Sequence, residues 1–186
     1  TLECLRNKLP KTKFIYLSSN KVYGNLDNIK LKETSKKYIN LGKNINEKSH
    51  LNFKSPYGCS KGSSDQYVSD YSSTYGLNTV VLRLSCIYGP NQWGTEDQGW
   101  ISWFIIKALK RDRINIFGNG KQVRDVLYID DLVKLINKCI ITRKLNGDAY
   151  NVGGGGKNSL SLLNLIDSLK IITKNELKYK LHKSRI

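Results

Sequence analysis

The 186-residue chain lacks three features: methionine, a long apolar run and a signal-peptide pattern. It contains no methionine, and because the initiator is therefore missing we expect a fragment or a processed chain. No apolar run approaches the ~20 residues that a membrane-spanning helix needs, and no signal-peptide pattern is present. The sequence therefore predicts a cytoplasmic protein without a membrane partner.

Cysteine and histidine are scarce and widely spaced. The four cysteines, Cys4, Cys59, Cys86 and Cys139, include no Cys-x-x-Cys pair. The two histidines, His50 and His182, do not have the spacing of metal ligands. We therefore expect reduced thiols, as is usual in a cytosol, and no metal site.

Acidic residues are also few, with 15 against 31 lysines and arginines, which gives a net charge of +16. A charge of this size suits an anionic ligand or nucleic acid. A nucleic-acid-binding module would cluster its basic residues on one face or helix, whereas these lysines are scattered. We interpret most of the charge as codon bias, because lysine shares A/T-rich codons with the abundant asparagine and isoleucine. No nucleic acid partner is predicted, and such a module remains the alternative from another class.

The chain does contain an alternation of short apolar runs and helical patterns. The runs over 13–18 and 79–84 are typical of strands buried in a parallel sheet. Pro56 to about Tyr75 predicts a helix that ends at Gly76. Further strands are predicted near 114–117, 126–129, 149–152 and 177–181, further helices near 2–9, 100–110, 131–142 and 162–169, the last capped by Ser161, and a long polar loop over 24–54. This alternation is typical of the α/β class with a mainly parallel sheet.

The stretch SPYGCSK, residues 55–61, begins the long predicted helix. Ser55 would be its N-cap and Pro56 its first helical residue. Tyr57 and Lys61, four positions apart, would then share one face. A phenol titrates at roughly pH 10, and a neighbouring ammonium group favours the phenolate, so the pair could form a base.

Ser19 gives this pair a chemical context, because it ends the first predicted strand. Ligands of parallel α/β sheets bind beyond the carboxyl ends of the strands. Ser19, Tyr57 and Lys61 could therefore take a proton from an alcohol while hydride leaves its carbon. The spacing alone is a weak signal, since Tyr179 and Lys183 match it too. A capped helix with a surface lysine and a half-buried tyrosine is an equal alternative at this point.

Five blocks of sequence resemble, in order and spacing, the extended short-chain dehydrogenase/reductases that act on nucleotide sugars. They are SSNKVYG (18–24), SPYGCSK (55–61), RLSCIYGP (83–90), GNGKQVRDVLYIDDLV (118–133) and YNVGGG (150–155). The resemblance implies a Rossmann-like, doubly wound, mainly parallel sheet that is incomplete, because the glycine-rich dinucleotide loop is absent. Residues 1–90 would form the later part of the NAD-binding domain. Residues 91–186 would hold substrate-binding segments of a smaller C-terminal domain, interleaved with the remaining Rossmann strands.

The resemblance also implies roles for individual residues. Ser19, Tyr57 and Lys61 match the catalytic triad of the family. The cofactor NAD would contact Ser18, Tyr57, Lys61 and Ser85. The nucleotide sugar would contact Lys21, Cys86, Gln98, Arg124 and Arg185, and either arginine could fork onto diphosphate oxygens.

The blocks SCIYGPNQWGTEDQGW (85–100) and NGKQVRD (119–125) are most similar to the 2-epimerases of this family that act on CDP-sugars. The resemblance implies transient oxidation and re-reduction at C2, with Tyr57 as the base, in a homo-oligomer that is a dimer or tetramer when intact. The chain alone is expected to be inactive. Two alternatives within the family stay open. A 4,6-dehydratase would need an acidic pair where Asn20 and Lys21 stand, whereas a nucleotide-sugar 4-epimerase is harder to exclude.

Overall fold

The structure is a computed structural model, and it describes residues 1–27, 29–42 and 44–183. The helices and strands are α1 (Leu2–Lys8), β1 (Phe14–Ser19), β2 (Leu31–Glu33), β3 (Tyr38–Asn40), α2 (Ser55–Tyr75), β4 (Thr79–Leu84), β5 (Cys86–Tyr88), α3 (Trp100–Lys110), β6 (Ile114–Phe117), β7 (Val123–Tyr128), α4 (Ile129–Ile141), β8 (Ala149–Val152), β9 (Ser159–Ser161), α5 (Leu162–Thr173) and β10 (Tyr179–His182). They fall into two compact units. Unit 1 comprises Thr1–Asn28, Asn44–Ser85 and Asp130–Gly153, and unit 2 comprises Ile29–Lys43, Cys86–Ile129 and Gly154–Ile186.

Unit 1 contains a parallel sheet with the strand order β1-β4-β8. The central strand β4 is buried from Thr79 through Arg83, which explains why its sequence is an almost unbroken apolar run rather than an alternating one. The strands predicted at 13–18 and 79–84 are confirmed to within one residue. Because all three strands run the same way, their carboxyl ends lie at one edge of the sheet.

The long helix α2 packs against this sheet and carries the stretch SPYGCSK. Pro56 lies in its first turn, and Gly76 ends it in the left-handed conformation with φ +70°, as predicted. Ser55 is itself the first helical residue, so the prediction that it precedes the helix was wrong by one position. The predicted capping bond is nevertheless present, since the Gly58 N–H donates to Ser55 Oγ at 3.2 Å.

Unit 2 has a core in which α3 and α5 pack with β6 and β7. Its buried members include Phe104, Ile114, Ile116, Ile166 and Leu169. The strands β5, β7 and β9 form one sheet, in which β9 is antiparallel, and β6 pairs with β10 in parallel. The predicted cap of the last helix is confirmed, because Ser161 Oγ accepts the Asn164 N–H at 3.1 Å.

The long polar loop predicted over 24–54 is wrong in part. Leu31–Glu33 and Tyr38–Asn40 form a short antiparallel pair within it. Five of the six residues of this pair are exposed, so its strands carry no apolar alternation that the sequence could have revealed. Within the described ranges, no helix has the length and apolar character needed to cross a bilayer.

Candidate active site

The carboxyl end of β1 presents two serines that are both buried. Ser18 Oγ donates to Asp65 Oδ2 at 2.8 Å. Ser19 keeps an extended backbone, and its Oγ accepts the Lys21 N–H at 3.2 Å, which caps the 3₁₀ turn over Asn20–Tyr23. The chain thus turns sharply where the strand ends, and the Ser19 hydroxyl stays at that end of the sheet, as the triad assignment requires.

Tyr57 and Lys61 lie in the first two turns of α2, on the same face. The Lys61 ammonium donates to the carbonyl oxygen of Leu17 at 2.8 Å and lies 5.2 Å from the centre of the Tyr16 ring. These contacts place the charge of Lys61 beside the end of β1. Tyr57 remains 53% exposed, so its ring is accessible to a ligand.

Two glycines on α2 allow close packing of the helix against Phe53 and against the 3₁₀ turn that follows β1. A Cβ on Gly62 would lie 2.2 Å from the Phe53 ring, and a Cβ on Gly58 would lie 3.3 Å from the carbonyl oxygen of Lys21. Glycine inside a helix costs about 1 kcal/mol relative to alanine. Glycine at i and i+4 therefore indicates a helix face packed directly against its neighbours, a signal that the sequence contained and that our predictions did not use.

A buried ion pair lies one helical turn beyond Lys61, and sequence reasoning missed it. Arg83 binds Asp65 through two bonds, Nε to Oδ2 at 2.9 Å and Nη2 to Oδ1 at 2.8 Å, with side chains only 4% and 0% exposed. Arg83 Nη1 also donates to the Tyr23 hydroxyl at 2.9 Å, and this hydroxyl donates to Asn151 Oδ1 at 2.7 Å. Burial acts to lower the pKa of Arg83, but the bonds to Asp65 and Tyr23 outweigh it and raise the pKa further.

Ser85 follows β4 and offers an unpartnered hydroxyl. Its backbone N–H donates to the carbonyl of Val152 at 2.9 Å, whereas its Oγ is buried and has no hydrogen-bond partner among the described residues. A buried hydroxyl without a partner is costly, so a polar ligand atom would suit this position. Ser19 and Ser85 lie at the ends of neighbouring parallel strands, where a dinucleotide binds in folds of this type. The residues of unit 1 therefore fit the nicotinamide end of NAD.

Two of the predicted substrate contacts of unit 2, Gln98 and Arg124, are exposed. Gln98 closes a turn in which its N–H and carbonyl exchange bonds with Thr95, beside a cavity of about 230 Å³ lined by Gln92–Thr95, Gln98 and Gly99. Arg124 is exposed and donates to the carbonyl of Val123 at 3.0 Å, so no protein carboxylate in the described chain holds its guanidinium. Cys86 begins β5 and is half-buried.

Asp125 fixes the glycine-rich loop that follows β8. Its Oδ1 accepts the Gly154 N–H at 2.8 Å. Burial raises the pKa of this carboxyl, and the N–H groups of Gly154 and Gly155 oppose the shift. A Cβ on Gly154 would lie 2.1 Å from the carbonyl oxygen of Val126, so only glycine fits there.

Lys21 lies in the 3₁₀ turn and is exposed, whereas Arg185 lies outside the described residues. No cluster of three or more potential metal ligands is present in the described part of the chain. Ser18, Ser19, Tyr57, Lys61 and Ser85 all belong to unit 1, where the serines lie at the ends of β1 and β4 and Tyr57 and Lys61 lie in the first turns of α2. The roles of all the predicted site residues stay predictions.

Comparison with known proteins identifies the family. The family model described as the NAD dependent epimerase/dehydratase family matches residues 1–153. The chain belongs to this family. Its sequence is 48% identical over 141 residues to CDP-paratose 2-epimerase of Salmonella typhi, covering 72% of this chain and 42% of that protein. It is 36% identical over 141 residues to dTDP-D-glucose 4,6-dehydratase of Dictyostelium discoideum, covering 76% of this chain and 30% of that protein.

A solved structure extends the match to nearly the whole chain. UDP-glucuronic acid 4-epimerase of Bacillus cereus, in complex with UDP-glucuronic acid and NAD, superposes with a TM-score of 0.78 at 28% identity, over 98% of this chain and 52% of that one. The chain thus spans about half the length of this relative and less than half that of the two curated ones. The predicted family, the Rossmann-like fold and NAD as the cofactor of the family are confirmed.

Proposed function

We propose that the full-length protein containing this chain is an NAD-dependent CDP-paratose 2-epimerase. The observation that carries the proposal is the 48% identity to CDP-paratose 2-epimerase, against 36% to the 4,6-dehydratase over a stretch of the same length. The geometry of unit 1 supports it, because the Ser19 hydroxyl ends β1, the Lys61 ammonium group is bonded to the carbonyl of Leu17 in the same strand, and the Tyr57 ring on the same helix as Lys61 is exposed.

Ser19, Tyr57 and Lys61 divide the acid–base work. Tyr57 takes the proton of the C2 hydroxyl, Lys61 stabilises the phenolate, and Ser19 holds the sugar oxygen. NAD would supply the hydride acceptor and donor for C2 of the sugar and would be regenerated in each cycle. Tyr57 would return the proton to the C2 oxygen at the end of the cycle. Lys61 also holds the nicotinamide ribose, and Ser18 and Ser85 complete the cofactor contacts.

The nucleotide sugar is held by the residues that the family resemblance implies as its contacts. Arg124 binds the diphosphate through its guanidinium group. This group is exposed and forms no ion pair in the described chain, so no such pair has to break first. Arg185 is a second diphosphate contact, and Lys21, Cys86 and Gln98 contact the rest of the substrate. The intact enzyme works as a homo-oligomer in the cytoplasm. Residues 1–90 belong to its NAD-binding domain, and residues 91–186 hold substrate-binding segments interleaved with the remaining Rossmann strands.

Two other reactions of the family are the competing functions. A 4,6-dehydratase needs a carboxylic acid and a carboxylate directly after the triad serine, and here Asn20 and Lys21 occupy those positions. A 4-epimerase uses the same triad, and the superposition on UDP-glucuronic acid 4-epimerase keeps this function as the second candidate.

The test incubates the full-length protein and NAD with CDP-paratose in D₂O and analyses the product by NMR and mass spectrometry. Epimerisation by internal hydride return gives CDP-tyvelose without deuterium on carbon. Parallel reactions with dTDP-glucose and UDP-glucuronic acid examine dehydration and 4-epimerisation, and elimination of water would introduce solvent deuterium on carbon. A 4-keto-6-deoxy product, or turnover of UDP-glucuronic acid alone, would overturn the proposal.

A further inference from the structure

Ser18, Arg83 and Asn151 form a row across the sheet of unit 1. They are register partners on three adjacent parallel strands, so their side chains share one face of the sheet. Asp65 of α2 binds two of them on this face, with bonds from Ser18 Oγ at 2.8 Å and from Arg83. Asp65 therefore joins α2 to both β1 and β4.

Stability alone does not account for an ion pair in this position. Replacing a buried ion pair with apolar residues of similar volume is often neutral or stabilising, because two charges no longer have to leave water. Here all the polar atoms are satisfied: Asp65 Oδ1 also accepts from Gln66 Nε2 at 3.0 Å. A fully bonded polar network fixes one arrangement of the elements it joins, whereas apolar contacts would tolerate sliding.

The arrangement that it fixes is that of the catalytic groups. Lys61 and Asp65, one turn apart on α2, bind the consecutive residues Leu17 and Ser18 of β1. Ser19 is the next residue of that strand. Two successive contacts of this kind set both the rotation of α2 about its axis and its position along β1.

We propose that Asp65 and Arg83 are positioning residues for the reaction, an inference that rests on the proposed function. They hold the first turns of α2 against the end of β1 and thereby set where Tyr57 and Lys61 lie relative to Ser19. They act through the helix and need not touch the substrate or cofactor.

Two variants of the full-length enzyme test this. Ser18→Ala removes one bond to Asp65 and leaves the ion pair intact, so it should fold; because Ser18 is also a proposed NAD contact, its turnover is measured at saturating NAD. The double variant Asp65→Val with Arg83→Met removes the network without leaving an unpaired charge in the core. Thr79→Val is the matched control, because it removes a buried bond between the same helix and β4, Thr79 Oγ1 to the Val68 carbonyl at 3.0 Å, far from Tyr57.

The first measurement is amide hydrogen exchange over residues 57–62, which does not depend on activity. We expect exchange about tenfold faster in Ser18→Ala and in the double variant, and unchanged in Thr79→Val. The second measurement is steady-state turnover of CDP-paratose. Because misplacement of catalytic groups by about 1 Å can cost up to ~10²-fold in rate, we expect kcat to fall about tenfold with KM within about twofold of wild type.

Ser18→Thr, which restores a hydroxyl, should recover kcat. If the wild-type protein does not epimerise CDP-paratose but both test variants still exchange faster over residues 57–62, the proposed function is refuted and the positioning role is supported. Wild-type exchange over residues 57–62 in both test variants would overturn the positioning role. So would faster exchange with an unchanged kcat, because the network would then anchor the helix without aligning the catalytic groups.

Discussion

Tyr57 with Lys61 and Tyr179 with Lys183 have the same spacing in the sequence, but they lie on different structures. The first pair is on α2, where four residues advance about 6 Å and return to the same face. In the second pair Tyr179 begins β10, and four residues of strand would advance about 13 Å. Helical geometry can bring an ammonium group to a phenol at this spacing, and an extended strand cannot.

The surroundings of the two pairs differ as much as their geometry. Lys61 is bonded to the carbonyl of Leu17, and the buried Asp65 lies one turn behind it. Tyr179 is 43% exposed, and within the described chain its strand pairs only with β6. A Tyr-x-x-x-Lys motif is therefore a catalytic candidate only when it lies on a helix and when that helix is held against the end of a strand.

The largest expected effect separates the two tyrosines. Tyr57→Phe in the full-length enzyme keeps the ring and removes the hydroxyl, so turnover of CDP-paratose should fall ~10²–10⁴-fold, as is typical when a general base is lost. Binding of the nucleotide sugar, followed separately by calorimetry, should change little, because Arg124 acts independently of the phenol. Tyr179→Phe is the control and should leave turnover near that of wild type. Near-normal turnover of Tyr57→Phe would remove Tyr57 from the mechanism.

A smaller loss of turnover is expected when Lys61 is replaced, and none when Lys183 is replaced. Lys61→Met removes the charge and the bond to the Leu17 carbonyl while keeping an unbranched side chain. Turnover should fall by up to about 10²-fold, and NAD affinity, measured by equilibrium dialysis, should weaken as well. Lys183→Met makes the same chemical change after β10, and we expect neither quantity to move. Equal losses in both variants would mean that charge alone, and not position on α2, explains the result.

The smallest expected effect is a change in thermal stability at Tyr71, another tyrosine of α2, which lies beside the carboxylate of Glu3 and not beside an ammonium group. Tyr71 donates to Glu3 Oε1 at 2.7 Å. This bond raises the pKa of Tyr71 above 10.0 and lowers the pKa of Glu3 below 4.5. The stabilisation from Glu3 is present above the unfolded pKa of Glu3 and is lost as the pH falls through its lowered folded pKa. The stabilisation from Tyr71 is present below the unfolded pKa of Tyr71 and is lost as the pH rises through its raised folded pKa.

Tyr71→Phe should therefore lower Tm slightly between about pH 5 and 9, and this difference from wild type should vanish at both extremes. Tyr67→Phe, one turn earlier on the same helix, is the control. Melting curves recorded from pH 3 to about pH 11 give the measurement. A difference that does not depend on pH would show that the Glu3 bond is not its source.

Local patterns determined much of the fold. The apolar runs at β1 and β4, the proline near the start of α2, Gly76 at its end and the Ser161 cap each depend on neighbours within a few residues, so the sequence alone predicted them. The blocks around Ser19, Tyr57 and Lys61 likewise indicated the family through their residue types, order and spacing.

Only the tertiary structure revealed how these pieces act together. Asp65 and Arg83 are 18 residues apart. Nothing in their local sequence shows that β4 pairs with β1 or that α2 packs against these two strands. The Ser85 hydroxyl, which has no partner among the described residues, and the different surroundings of the two Tyr-x-x-x-Lys motifs likewise depend on tertiary structure. Such features depend on strand order and register, which join distant segments, whereas a helix or a strand is specified by interactions along the chain itself.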